Sequence, residues 1–147
     1  MLLTKSLFIC FATVTLCLAG TTLGNAVVQE LVSEDEEILG QSIVNYAGNS
    51  DQTECIVICW DLEPEAEYTV FLCDSDEYGR VTDSCMLGNL TTNKVGNGCL
   101  FTLVDGDTSD WCVIVGYELD GKLSPLAISI GDLLDFRDIK LWLDLHK

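Results

Sequence analysis

From Gln41 to the C-terminus the chain is a succession of short apolar segments cut by turn residues, and the apolar positions repeat with the period of two that marks strands. Ile43, Val44 and Tyr46 form the first such segment, closed by Gly48-Asn49-Ser50-Asp51. Cys55-Ile56-Val57-Ile58-Cys59-Trp60 is continuous and β-branched, as expected of a strand buried on both faces. After a turn at Glu63-Pro64-Glu65 comes Tyr68 to Cys73, and after a polar loop from Asp74 to Asp83 comes Leu87 to Thr92. Lys94-Val95-Gly96-Asn97-Gly98 contains Asn-Gly, a hairpin signal because both residues tolerate positive φ, and predicts Cys99 to Val104 as the return strand. Asp105 to Asp110 is a polar loop. Trp111 to Tyr117 and Leu126 to Ile130 are strands on either side of the turn Asp120-Gly121. In the tail, Ile139, Leu141, Leu143 and Leu145 alternate with Lys140, Asp144 and His146; a helix from Leu133 is the rival reading, and the period of two favours a strand. Roughly eight short strands with no long helical pattern predict an all-β, antiparallel sandwich or barrel.

The first forty residues follow other rules. Lys5, the apolar run Leu7 to Leu18 and the small residues Ala19, Gly20, Gly24 and Ala26 make a cleavable signal peptide, because the run is too short to span a bilayer. Cleavage fits after Ala19, Gly24 or Ala26. Taking Gly24 as the boundary, residues 1–24 are the leader, 25–40 an acidic N-terminal arm with the solvated cluster Ser33-Glu34-Asp35-Glu36-Glu37, and 41–147 one β domain. The expected destination is extracellular.

That compartment changes the meaning of the cysteines. Cys10 and Cys17 leave with the leader, and Cys55, Cys59, Cys73, Cys85, Cys99 and Cys112 remain, an even number in an oxidising environment. Three structural disulfides are expected, with fifteen connectivities open. Cys55 and Cys59 should not pair, since residues four apart in a strand lie about 13 Å apart and a disulfide spans at most ~7 Å between Cα atoms. Cys73 and Cys85 flank the polar loop and are a candidate staple across it. Zinc is the weaker reading: no second close cysteine pair follows the x3 spacing of Cys55 and Cys59, and His146 is the single histidine.

Charge narrows the partners. A formal net charge of −17, moved to −18 by loss of Lys5, repels phosphate backbones and anionic lipid, so neither nucleic acid nor a membrane surface is expected. The acidic residues read first as keeping a secreted protein soluble, and a cationic partner or divalent cations in bulk stay open as the second reading. Asp105, Asp107, Ser109 and Asp110 begin like an EF-hand loop and are a weak calcium candidate, as is Asp74-Ser75-Asp76-Glu77. Asp110 stands where the glycine is needed and Gly116 where the bidentate glutamate is needed, so the first is no EF-hand, and an ordinary hairpin turn is the favoured reading over a weak calcium site. Asn89-Leu90-Thr91 is the sole glycosylation sequon. A histidine one residue from the end offers no base for a serine or cysteine nucleophile, and no catalytic residue is assigned.

Three stretches resemble the copper/zinc superoxide dismutase family. Gln41 to Tyr46 is similar to an early strand of that family; Ile56 to Leu62, the Glu63-Pro64-Glu65 turn and Tyr68 to Leu72 to its next two strands; and Leu87-Gly88-Asn89-Leu90-Thr91-Thr92, with Gly96 and Cys99 to Asp105, to the segment and hairpin after its zinc loop. Trp111 to Gly116 is similar to the strand that follows. The resemblance implies an eight-stranded Greek-key barrel. It does not carry the chemistry: Val70 and Leu72 stand where two copper histidines are expected, Asp74 to Asp83 holds no histidine for zinc, and Tyr117-Glu118-Leu119-Asp120 replaces a further copper ligand. The expected protein is therefore a secreted, non-enzymatic, cofactor-free scaffold acting by binding an extracellular protein, its edges and acidic loops serving as the working surface. The alternative is an acidic structural, matrix or storage protein that collects calcium or other divalent cations weakly.

Overall fold

The computed structural model describes residues 26–129 together with Ile139, Trp142 and Leu143; the leader and the remaining tail lie outside the described residues. Eight antiparallel strands run in chain order: β1 (Val27–Val32), β2 (Ile38–Ala47), β3 (Gln52–Cys59), β4 (Glu67–Ser75), β5 (Val81–Thr91), β6 (Gly98–Asp105), β7 (Cys112–Leu119) and β8 (Lys122–Ser129). They form one sheet in the order β5-β4-β7-β8-β1-β2-β3-β6, curled into a nearly closed barrel.

Alternation along the strands builds the interior. Leu31, Val44, Cys55, Val57, Cys59, Val70, Leu72, Leu90, Val113 and Val115 turn inward and are buried as one cluster. Burying each large aliphatic side chain contributes about 1.5–3 kcal/mol, so this interior is the main stabilising term. On β3 the intervening Ile56 and Ile58 are also buried, on the outer face with Ile43, as the unbroken apolar run predicted. A second outer cluster joins Cys73, Cys112, Ile114 and Ile128 to Ile139 and Leu143.

Two sequence expectations are corrected. The segment taken for an arm contains β1, whose Val27 to Val32 pairs with β2 and whose Leu31 and Val32 pair with β8. Its acidic cluster is exposed, as expected, but forms the tip of the β1–β2 hairpin, held by Ser33 N to Glu37 O at 2.9 Å and Glu37 N to Ser33 Oγ at 3.1 Å. In the tail, Ile139, Trp142 and Leu143 have helical backbone, not the extended form. Their spacing of three and four places Ile139 and Leu143 together against the outer face of β7 and β8. The remainder of the tail segment lies outside the described residues.

The turns separate into two kinds. Asp120 and Gly121, at φ 53° and 75°, make the two-residue β7–β8 hairpin that their sequence predicted. The turn carrying Asn97-Gly98 joins β5 to β6 but makes no hairpin ladder, because β5 pairs with β4 and β6 with β3. The positive φ falls on Gly96, and the Asn93 side chain accepts hydrogen bonds from Val95 N and Asn97 N, both at 3.0 Å. Leu62 N donates to Gly96 O at 3.1 Å and Glu65 N to Asn93 O at 3.1 Å, so this turn is locked to the β3–β4 connection at one end of the barrel.

Candidate functional site

The sheet has two terminal strands, β5 and β6, and the curl brings them side by side without a shared ladder. Local sequence decides how close they come. At the turn end, Gly98 sits against β5: a Cβ there would meet the Leu90 side chain and stand 2.9 Å from Thr91 O. Farther along, a bulge in β5 moves the register between Val70↔Gly88 and Phe71↔Met86, leaving Leu87 as the extra residue, and Gly88 adopts φ 142° beside the Leu100 side chain. Beyond the bulge the strands part. The opening has a volume of about 410 Å³ and is lined by Asp83, Cys85, Met86, Leu103, Asp105 and Trp111, among others.

The lips of this seam combine three properties. Edge backbone N–H and C=O groups are available to an added strand, because each lip has a ladder on its other side alone. Met86 is 64% exposed, Phe101 52% and Leu103 50%, placing large apolar groups beside those edges. Asp83 and Asp105 add negative charge to the opening. Backbone, apolar and anionic recognition therefore meet in one groove.

Its floor is rigid. Thr53, fully buried on β3, donates from Oγ1 to Gly106 O at 2.6 Å and accepts at Oγ1 from Thr108 N at 3.0 Å. Gly106 N donates to Asp51 O at 2.8 Å and Trp111 N to Thr108 O at 3.1 Å, which ties the β6–β7 loop to the turn before β3. This same loop carries the calcium candidates. Asp107 Oδ1 accepts from Ser109 Oγ at 2.6 Å and Ser109 N at 3.1 Å, and these bonds, the hydroxyl first, hold its carboxyl below the usual range. Asp105 Oδ1 accepts from Gln52 Nε2 at 3.3 Å, and Asp110 is exposed. Among the described residues no group of three histidine, cysteine, aspartate or glutamate side chains is gathered as a metal site requires. The second candidate loop is likewise a turn: Asp76 accepts from Arg80 N, Tyr78 N and Arg80 Nε, and these bonds lower its pKa.

The six cysteines are distributed over different faces, and no disulfide joins them in the structure, in contrast to the three expected. Cys55 and Cys59 share the inward face of β3, as their spacing predicted. The expected Cys73–Cys85 staple does not fit the ladder: Cys73 is opposite Ser84, and Cys85 is opposite Leu72, so the two side chains project from opposite faces of the sheet. Cys73 is instead directly opposite Cys112 on the outer face. Desolvation pushes the thiols of Cys55, Cys59 and Cys73 up to about 12.

Val70 and Leu72, at the positions compared with copper histidines, are fully buried inside the barrel, whereas β4 turns Thr69, Phe71 and Cys73 outward. Asn89 is exposed near the end of β5, its Nδ2 donating to Glu67 Oε1 at 3.1 Å. The seam itself was not expected from sequence. Its signal was present in the polar run Thr82-Asp83-Ser84, which occupies a strand rather than a loop, and in the exposed alternation of Phe101, Leu103 and Asp105. Among the described residues no helix is long and apolar enough to cross a membrane. No family model, curated protein or solved structure matches the chain.

Proposed function

We propose that this is a secreted, non-catalytic barrel of dismutase-like Greek-key topology that captures an extended, cationic segment of an extracellular protein as an added strand at the β5–β6 seam. The observation that carries the binding reading is the pair of unladdered edges flanked by Met86, Phe101 and Leu103 and by Asp83 and Asp105. Strand addition supplies main-chain hydrogen bonds, and the flanking side chains supply choice among sequences. A cationic partner complements both the two aspartates and the net charge of −17.

The topological part is supported by strand order. Counting β5 and β6 as neighbours around the barrel, the sequence β7-β4-β5-β6 is the fourth-first-second-third arrangement of a Greek key. The non-catalytic part is supported by Val70 and Leu72, aliphatic and fully buried at the positions where the resemblance would place copper-binding imidazoles. The signal-peptide pattern before Ala26 supports secretion, and exposed Asn89 supports glycan attachment on that route.

The test is secretion of the full chain from cultured eukaryotic cells, isolation of the partner that co-purifies from the medium, and comparison with a Met86→Asp, Leu103→Asp variant. The expected result is at least a tenfold loss of partner, steeper at higher salt, with the circular dichroism spectrum unchanged and no dismutase activity in either sample. Equal recovery of partner by the folded variant would remove the seam as the binding surface, and superoxide turnover would remove the non-catalytic reading.

A further inference from the structure

We propose that Cys73 and Cys112 form a cross-strand disulfide when the chain folds in an oxidising compartment, and that this bridge closes the segment carrying both lips of the seam. The two residues are Cα partners in the β4–β7 ladder. Directly opposite residues in an antiparallel pair have Cα atoms about 4.5 Å or 5.5 Å apart, according to pair type, and both values lie within the range of about 4.4–6.8 Å that a disulfide accepts. Both side chains project from the same face into one cluster with Ile114, Ile128, Ile139 and Leu143, and each residue is 1% exposed. The ladder pairing gives the backbone spacing a disulfide needs; the sulfurs are not at bonding distance in the structure, and side-chain rotation must bring them together.

In the reduced chain Cys112 Sγ rests on the β8 side, 3.2 Å from Ser129 Oγ and 3.5 Å from Ser129 O, so bridging requires a rotation about its Cα–Cβ bond toward β4. The other candidate partners of Cys73 are excluded by face or by strand: Cys85 projects from the opposite side, Cys55 and Cys59 line the barrel interior, and Cys99 lies on β6 opposite Ile58, on a strand that has no ladder with β4.

The chemistry balances as thiol–disulfide exchange with a small disulfide such as oxidised glutathione. The Cys73 thiolate attacks one sulfur of the oxidant, forming a mixed disulfide and expelling one thiolate. The Cys112 thiolate then attacks Cys73 Sγ, forming the bridge and expelling the second. The protein loses two electrons and two protons, and the oxidant is reduced to two thiols. Burial suppresses the Cys73 thiolate in the finished barrel, so exchange belongs to folding, when both thiols are in water. Once formed, the bridge is sealed from reductants by the same apolar cluster.

Residues 73 to 112 contain all of β5 and β6. Their covalent closure restricts the unfolded chain around the part of the barrel that has a seam in place of a ladder.

The pairing rests on the ladder, and the secretion reading supplies only the natural oxidant, so two arms separate them. In one, the full chain made in a reducing cytosol is unfolded in urea and refolded with reduced and oxidised glutathione; in the other, the chain is collected from eukaryotic culture medium. Both are blocked with iodoacetamide and cut with trypsin and an Asp-N protease, which places Cys73 on residues 61–73, Cys85 on 83–94, Cys99 on 95–104 and Cys112 on 110–119. The expected product in each arm is 61–73 joined to 110–119, with a melting temperature about 10 °C above that of the reduced chain. Alkylated Cys73, or Cys73 joined to any other cysteine, overturns the pairing in either arm. Failure of the chain to reach the medium overturns the secretion reading alone, and the refolding arm then decides the pairing.

Discussion

Single atoms set the floor of the seam. Thr53 Oγ1 serves Gly106 O and Thr108 N at once, and both partners lie in the loop that follows β6. Thr53→Val keeps the shape and removes the hydroxyl, leaving two backbone groups of a partly buried loop without their bond. The expected cost is about 1–3 kcal/mol, read as a lower urea midpoint with an unchanged m-value. A variant within about 0.5 kcal/mol of the wild type would show that water replaces the hydroxyl there. The same scale governs the acidic loop after β6, where Asp107 Oδ1 accepts from both Ser109 N and Ser109 Oγ. A carboxylate that caps its own turn is built by loop geometry, and the spacing of acidic residues in the sequence does not distinguish it from a ligand.

Among elements, the turn between β5 and β6 has the largest consequence. It is a crossing between two ladders, and its shape depends on Gly96 at φ 83° lying against the backbone of Leu62. A Cβ at Gly96 would meet Leu62 O and stand 3.0 Å from the Leu62 carbonyl carbon, and the neighbour is backbone that cannot rotate away. Gly96→Ala is therefore expected to cost about 2–4 kcal/mol through combined steric overlap and positive φ, measured by thermal or urea unfolding. By contrast, Gly121 is open to solvent, with nothing within 4 Å of the place a Cβ would take, so Gly121→Ala meets only the φ penalty of about 1 kcal/mol. Similar costs at the two positions would mean that the β5–β6 turn is not anchored to Leu62.

Taken as a whole, the protein is acidic in net charge and buries thiols on both faces of its sheet. Cys55, Cys59 and Cys73 have an ordinary pKa of 9.0 and are pushed up to about 12 by desolvation. The folded state holds these protons more tightly than the unfolded state, so their contribution to stability is fully present below pH 9 and is lost as pH rises from about 9 to about 12. Tyr68, also raised by desolvation, acts in the same direction. Urea midpoints of the reduced protein are expected to be level between about pH 7 and 8.5 and to fall steadily above about pH 9; a level midpoint to about pH 11 would show that the thiols ionise without unfolding. Bridging Cys73 to Cys112 removes one of the three groups, so the alkaline loss is expected to be shallower in the oxidised protein.

The strand pattern was legible because it needs only neighbours in sequence: alternating or unbroken apolar runs placed β2, β3, β4, β6 and β7 close to their observed positions and caught the C-terminal halves of β5 and β8, and Asp120-Gly121 marked a turn whose two residues both have positive φ. Segments whose state depends on what they touch were not legible. Val27 to Val32 becomes a strand because β2 and β8 lie on either side of it, and Ile139 with Leu143 becomes helical where an apolar patch on β7 and β8 receives that spacing. Thr82-Asp83-Ser84 reads as a loop by composition, yet an edge strand exposed at a seam tolerates polar side chains on its free side. Cysteine count and parity came from the residues alone, while partner choice depended on register, because a shift of one residue along β5 puts a side chain on the other face. Sequence by itself determined the all-β class, the acidic surface and the lack of imidazole at Val70 and Leu72, since these follow from residue type and local period. Only the tertiary structure decided which two strands remain without a ladder between them and which cysteines face each other, because both are properties of pairing between segments distant in the chain.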